Sequence, residues 1–181
     1  KPWMMPEKRI ETFNKRIEKI EKLPSSKKER LKNIATLATP VLFSAELSKP
    51  KEDDLNRMRR AVWTAARQGR QVPHYFVPEA FFTIIAKGHL VDPWQAVDYK
   101  AVLVYTGQKH LNGKIKEIIN KERQKSTNGA WGPIRRLKDI FKSIKWNWKA
   151  VQSIETEKGE VYNLPIAKEE KETFKHDLRM A

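Results

Sequence analysis

Ile10, Phe13, Ile17, Ile20 and Leu23 recur at steps of three or four along an otherwise charged stretch. That spacing predicts an amphipathic helix with one apolar stripe. Pro6 suits its first turn, where a missing N–H costs nothing, and Pro24 stops it. Ser26 with Glu29 is a capping-box signature for a second helix. That helix should bury Leu31, Ile34 and Leu37 and continue through a kink at Pro40 into VLFSAEL. After the polar connector SKPKEDD, Asp53 or Asp54 should cap a third helix that turns Leu55, Met58, Val62, Trp63 and Ala66 inward. Gly69 should end it. RQVPHYFVP then reads as a loop and EAFFTIIAK, after Pro78, as a short helix.

The stretch KGHLVDPWQAVDY (residues 87–99) carries helix punctuation on both sides. Gly88 suits a left-handed helix end, and Asp92 followed by Pro93 suits a helix start. The helix that follows should bury Trp94, Val97, Ala101, Val102 and Tyr105 and close near Thr106 and Gly107. A lysine-rich helix is expected over Leu111–Lys125, STNGAWG as a loop, and a helix from Gly132-Pro133 with Ile134, Leu137, Phe141 and Ile144 inside. Beyond WNW the period changes. KAVQSIE and EVYNLP flank TEKG as a β-hairpin, and a last helix over about Lys168–Met180 has Phe174 and Leu178 on one side. The expected fold is therefore mostly α: a multi-helix bundle with one small β-hairpin near the C-terminus. A helical domain over 1–145 and a hairpin with a packed C-terminal helix over 146–181 are the expected divisions.

Composition narrows the function. The 181 residues are 39% hydrophobic and 9% aromatic, enough for a packed core. The formal net charge is +15, a field that draws polyanions. No apolar run reaches the roughly 18–20 residues of a membrane span. Cysteine is absent, which excludes disulfides, thiolate metal sites and cysteine nucleophiles. The sequence starts at Lys1 rather than Met, so it reads as a cut precursor or as part of a longer protein.

Catalytic constellations find no support. Polymerase chemistry needs carboxylates converging on metal ions from adjacent strands. Asp53-Asp54 instead falls at an expected helix start, and Glu169-Glu170 lies in a charged run. His89 and Asp92 could form an acid–base pair, but the turn between Gly88 and Pro93 explains both. His74, His89, His110 and His176 lack ligand spacing, so no metal is expected. Phosphate-cradling glycine loops are absent, and no cofactor is expected.

Basic clusters are the main functional signal: Lys27, Lys28, Arg30 and Lys32; Arg57, Arg59, Arg60, Arg67 and Arg70; Lys114, Lys116, Lys121, Arg123 and Lys125; Arg135, Arg136 and Lys138, followed by Lys142, Lys145 and Lys149. The bland alternative is a solvated face interleaved with glutamates, which suits the first helix, where Glu and Lys are matched. Around RMRR and IRRLK few acids balance the bases, and phosphate contact is the better reading. Trp131, Trp146 and Trp148 flank basic residues, where rings can stack on unpaired bases. Burial against the hairpin is the alternative for Trp146 and Trp148. Trp63 is expected in the core, and Trp94 suits either role.

Four stretches carry a family resemblance: IEKIEKLPSSKKERLKNIATLATPVLFSAE; DLNRMRRAVWTAARQGRQ; the segment with Gly88, His89, Asp92, Pro93, Gln95 and Ala96; and WGPIRRLKDIFKSIKWNW. In this order they resemble the region after the palm, the thumb or connector, of non-LTR retroelement reverse transcriptases of the protist type. Lys145 departs from that pattern, which has glycine there. The resemblance implies a helical body that grips nucleic acid and lacks the catalytic carboxylates. Together with the charge it leads to a non-catalytic RNA-binding structural protein of a large ribonucleoprotein. A mitochondrial ribosome is the leading example, with structured ribosomal RNA and neighbouring proteins of the same assembly as partners. A mitochondrial location is expected, with nucleus or cytoplasm as alternatives. Two other readings are the thumb-side part of an active reverse transcriptase and a helical scaffold for acidic proteins or anionic membrane.

Overall fold

A computed structural model describes residues 7–44, 50–67, 89–109, 111–125 and 132–181. Seven α-helices and a three-stranded antiparallel sheet are present among them, the mostly helical architecture expected. Pro6, Gly69, Arg70, the EAFFTIIAK helix, Gly88 and Trp131 lie outside the described residues. Two compact units divide the chain, Lys1–Lys100 and Ala101–Ala181.

The first unit is built on α1 (Glu7–Lys22), α2 (Lys27–Asn33) and α3 (Glu52–Arg67), joined by the start of α4 (Pro93–Thr106). Phe13, Ile17 and Ile20 form the buried stripe of α1, and α3 supplies Leu55, Met58, Val62, Ala65 and Ala66 to the same core. Each large apolar side chain so buried contributes about 1.5–3 kcal/mol over an exposed one. Leu23 falls past the end of α1 and is exposed, so the stripe is one residue shorter than its spacing suggests.

The capping box of α2 forms as its residues dictate. Ser26 Oγ accepts from the Glu29 N–H at 3.2 Å, and the Glu29 carboxylate accepts from the Ser26 N–H at 3.2 Å. Leu37 corrects the expected stripe, since it is 51% exposed. Pro40 has no N–H to continue the helical ladder. The chain adjusts before it with a π-helical turn, Ile34–Ala38, in which the Thr39 N–H reaches the Ile34 carbonyl, and then tightens into a 3₁₀ segment, Thr39–Ser44. The extra residue in the turn shifts the phase. Leu37 swings outward, while Ala38, Val41 and Leu42 face the core.

Helix α3 begins slightly earlier than expected. The Leu55 N–H bonds the Lys51 carbonyl at 3.0 Å. Glu52, Asp53 and Asp54 thus occupy the first turn, where they oppose the positive end of the helix dipole.

The second unit contains the end of α4, then α5 (Gly113–Gln124), α6 (Gly132–Ser143), β1 (Asn147–Ala150), β2 (Ser153–Glu155), β3 (Val161–Asn163) and α7 (Lys171–Met180). Strand order is β1-β2-β3. Ile154 faces Tyr162 across β2 and β3. The TEKG turn joins these strands as expected, with Gly159 at φ 88°. KAVQSIE does not run as one strand: it folds back after Ala150, so the hairpin gains a third strand.

Trp148 packs on Phe141 and Tyr105, and Trp146 packs on Phe174. These contacts tie α4, α6 and α7 to the sheet. All of these residues lie in the second unit.

The end of α6 answers the question raised by Lys145. The Trp146 N–H bonds the Phe141 carbonyl at 3.0 Å and the Lys145 N–H bonds the Lys142 carbonyl at 3.2 Å, the paired bonds of a Schellman ending. That ending requires a left-handed residue, and Lys145 supplies it at φ 61°. Lysine therefore takes the backbone conformation that glycine adopts most easily.

Candidate nucleic-acid interface

The basic residues separate into those the fold uses internally and those it leaves at the surface. Arg30 belongs to the first group. It is 6% exposed. Its Nε and Nη2 donate to the Ala66 carbonyl at 3.2 and 3.0 Å, and its Nη1 donates to the Ser25 carbonyl at 2.5 Å. The Ala66 carbonyl lies in the last turn of α3, where acceptors lack helical partners. Arg30 thus closes α3 rather than facing solvent with Lys27, Lys28 and Lys32.

Arg59 is also internal. Its Nε donates to Asp92 Oδ1 at 2.9 Å and its Nη2 to Asp92 Oδ2 at 2.8 Å, a bidentate pair. Asp92 Oδ1 further accepts the Trp94 N–H at 3.1 Å, capping α4 where the Asp-Pro pair predicts a start. The carboxylate's geometry is accounted for by Arg59 and the cap, without an acid–base partnership with His89. In the second unit, Arg123 donates to the Trp148 and Lys149 carbonyls and lies over the Trp148 ring, 5.4 Å from its centroid.

The remaining candidates stand at or near the surface. On α2, Lys27, Lys28 and Lys32 are exposed. On α3, Arg57 is exposed and pairs with Asp54 at 2.8 Å, a surface contact contributing at most about 1 kcal/mol. Arg60 is exposed, with no carboxylate partner among the described residues. Arg67 lies over the Trp63 ring at 4.8 Å. Trp63 is half-buried and packs against the core of the first unit.

On α6, Arg135 and Lys142 are exposed, seven residues apart on one face. Asp139 shares that face, an acid the local sequence count underweights. Lys138 donates to the Lys125 carbonyl at 2.7 Å, and Arg136 is half-buried. Lys149 pairs with Glu155 at 3.0 Å, and Lys145 lies 4.0 Å from Glu157. Trp146 and Trp148 are both buried, so neither ring is open to a base.

Helix α5 presents Lys114, Lys116 and Lys121, buries no residue and exposes Ile115 and Ile118. The chain's charge is uneven: residues 151–181 contain more acids than bases, so the positive excess lies within residues 1–150. An open cleft of about 230 Å³ lies between the TEKG turn and the end of α7, lined by Trp146, Glu157, Glu160, His176 and Asp177 among others. It is smaller than the usual small-molecule site. No group of three His, Asp or Glu able to hold a metal occurs among the described residues. No helix there is long and apolar enough to cross a membrane.

Two phenols are perturbed, and both are structural. Burial pushes Tyr105 up to about 12, and its hydroxyl donates to the Val151 carbonyl at 2.6 Å. Tyr162 is raised as well, first by burial and then by its 2.5 Å hydrogen bond to Asp177. Comparison of the chain with protein-family models, curated proteins and solved structures finds no match.

Proposed function

We propose that this chain is a non-catalytic, basic RNA-binding structural protein, a component of a large ribonucleoprotein such as a mitochondrial ribosome. One observation carries the reading. After the internal guanidiniums of Arg30, Arg59 and Arg123 are set aside, Lys27, Lys28, Lys32, Arg60, Arg135 and Lys142 remain exposed, with no carboxylate bonded to them among the described residues. Cations mounted on helices and bonded to no carboxylate suit phosphates spaced along a backbone, and such contacts position a protein without reading sequence. Structured RNA supplies many phosphates at once, and the exposed apolar side chains of α5 are available to a neighbouring protein of the same assembly.

Lys145 favours a second reading, the thumb-side part of a reverse transcriptase. At the position where the retroelement pattern has glycine, its backbone is left-handed, so the departure leaves the turn's shape intact. A polymerase assay of the protein encoded by the complete parent gene separates the two.

The primary test is RNA binding at about 50 and 200 mM salt. Six to ten phosphate contacts imply an affinity loss of about 10³–10⁵ across that range. Tight association with RNA that ignores salt would contradict the reading. A preference for acidic proteins or anionic vesicles over RNA would favour the scaffold alternative.

A further inference from the structure

Asn112 and Gly113 meet at the start of the lysine-rich helix α5. Asn112 is the N-cap residue, with an extended backbone at φ −139° and ψ 174°, yet its side chain makes no capping hydrogen bond. An N-cap asparagine ordinarily accepts from an N–H of the first turn, so this carboxamide is left unengaged. The Asn112 carbonyl accepts the Lys116 N–H at a long 3.3 Å. Gly113 has φ 57°, a left-handed conformation that a residue without Cβ adopts at little cost. Its N–H precedes the helical ladder and has no hydrogen-bond acceptor among the described residues. Both residues are exposed, and apart from the chain neighbours no atom lies within 4 Å of where a Gly113 Cβ would stand.

We propose that Asn112 is a site of spontaneous modification, at which the side-chain amide becomes a carboxylate by way of a cyclic imide. The Gly113 nitrogen gives its proton to solvent hydroxide and bonds to Asn112 Cγ. The Cγ–Nδ2 bond breaks, and Nδ2 leaves as ammonia. Water then adds to either carbonyl carbon of the five-membered imide and opens it, giving aspartate or isoaspartate with no oxidation or reduction. Groups on one chain react far faster than separate molecules once they can be brought together. Here the approach needs a turn about the Asn112 Cα–C bond, which gives up the long Lys116 bond. A side chain at position 113 would crowd the attacking nitrogen, and glycine has none. The other described asparagines, Asn14, Asn33, Asn56, Asn120, Asn147 and Asn163, all precede larger residues. The product places a negative charge at the positive end of α5, just ahead of Lys114 and Lys116.

The test incubates the full chain in mildly alkaline buffer, folded and, in parallel, unfolded in urea. Peptide mapping by mass spectrometry follows each asparagine, and enzymatic methylation reports isoaspartate. Asn128 also precedes glycine but lies outside the described residues, and mapping scores it apart from Asn112. In the folded chain Asn112 should convert on the order of tenfold faster than any of the six asparagines named above, and within about tenfold of its own rate in urea. G113A should slow the conversion on the order of tenfold; the comparison of folded with unfolded wild-type chain decides the matter if thermal melting shows that variant unfolded. Conversion should also be faster in mildly alkaline than in mildly acidic buffer, because the attacking nitrogen must lose its proton. An Asn112 that stays intact in the folded chain while it converts in urea, or that converts no faster than Asn120 in the body of the same helix, would overturn the site. A rate that G113A, when folded, leaves unchanged would overturn the route through the Gly113 nitrogen.

Discussion

Replacing Arg59 by methionine tests the division between internal and surface arginines. The side chains of Arg59 and Asp92 are 16% and 3% exposed, and two bonds of 2.9 and 2.8 Å join them. Removing one member of such a pair leaves a buried charge unmatched and costs about 3–5 kcal/mol. For a chain of this length each kcal/mol shifts the melting temperature by about 2–4 °C, so R59M should melt on the order of 10 °C lower. The double variant R59M/D92N removes both charges and keeps a capping side chain at the start of α4. It should recover most of the loss. The control is R57M, whose partner is Asp54 and whose side chain is 69% exposed; it should change stability by less than about 1 kcal/mol. Urea unfolding of the four proteins supplies the comparison. Equal losses in R59M and R57M, or a double variant as unstable as R59M, would refute the argument.

Two further perturbations probe other parts of the fold. Lys145 holds a left-handed backbone at φ 61°, which costs a non-glycine residue about 1–2 kcal/mol. K145G should therefore stabilise the protein by about 0.5–1 kcal/mol after glycine's greater chain entropy is allowed for; a lower urea midpoint in K145G would count against the Schellman ending. Tyr105 is raised to about 12 and Tyr162 is raised as well, so the fold favours their protonated forms. Their contribution is intact below pH 10, the ordinary tyrosine value, and falls away as pH climbs from about 10 towards 12. Y105F/Y162F should flatten that alkaline decline, and a decline as steep as in the wild type would contradict the assignment.

What the sequence made legible was local. The Ser26–Glu29 box, the Asp92-Pro93 start and the Gly132-Pro133 start each depend on residues within one helical turn, and each stands where expected. The outward turn of Leu37 was not legible, because the spacing assumes an α-helical phase that the π turn before Pro40 breaks. Nor were the roles of Arg30, Arg59 and Arg123. Their partners lie 36, 33 and 25 residues away, and a cation reads the same in sequence whether it meets a phosphate or a carbonyl. For the tryptophans a usable signal was present. Trp146 and Trp148 stand two apart at the start of a strand, which places both on one face, and that face is the buried one. Trp63 lies just beside the arc defined by Leu55, Met58, Val62 and Ala66 once the helical wheel is drawn, consistent with its partial burial at the edge of the core.

The most direct measurement is the dependence of RNA affinity on salt for the wild-type chain and for R60Q, R135Q and K142Q, with K175Q as a control from the acid-rich C-terminal segment. The account predicts a steep wild-type slope, reduced by about one in each of the three variants and unchanged in K175Q. A shallow wild-type slope, or four variants that behave alike, would contradict it.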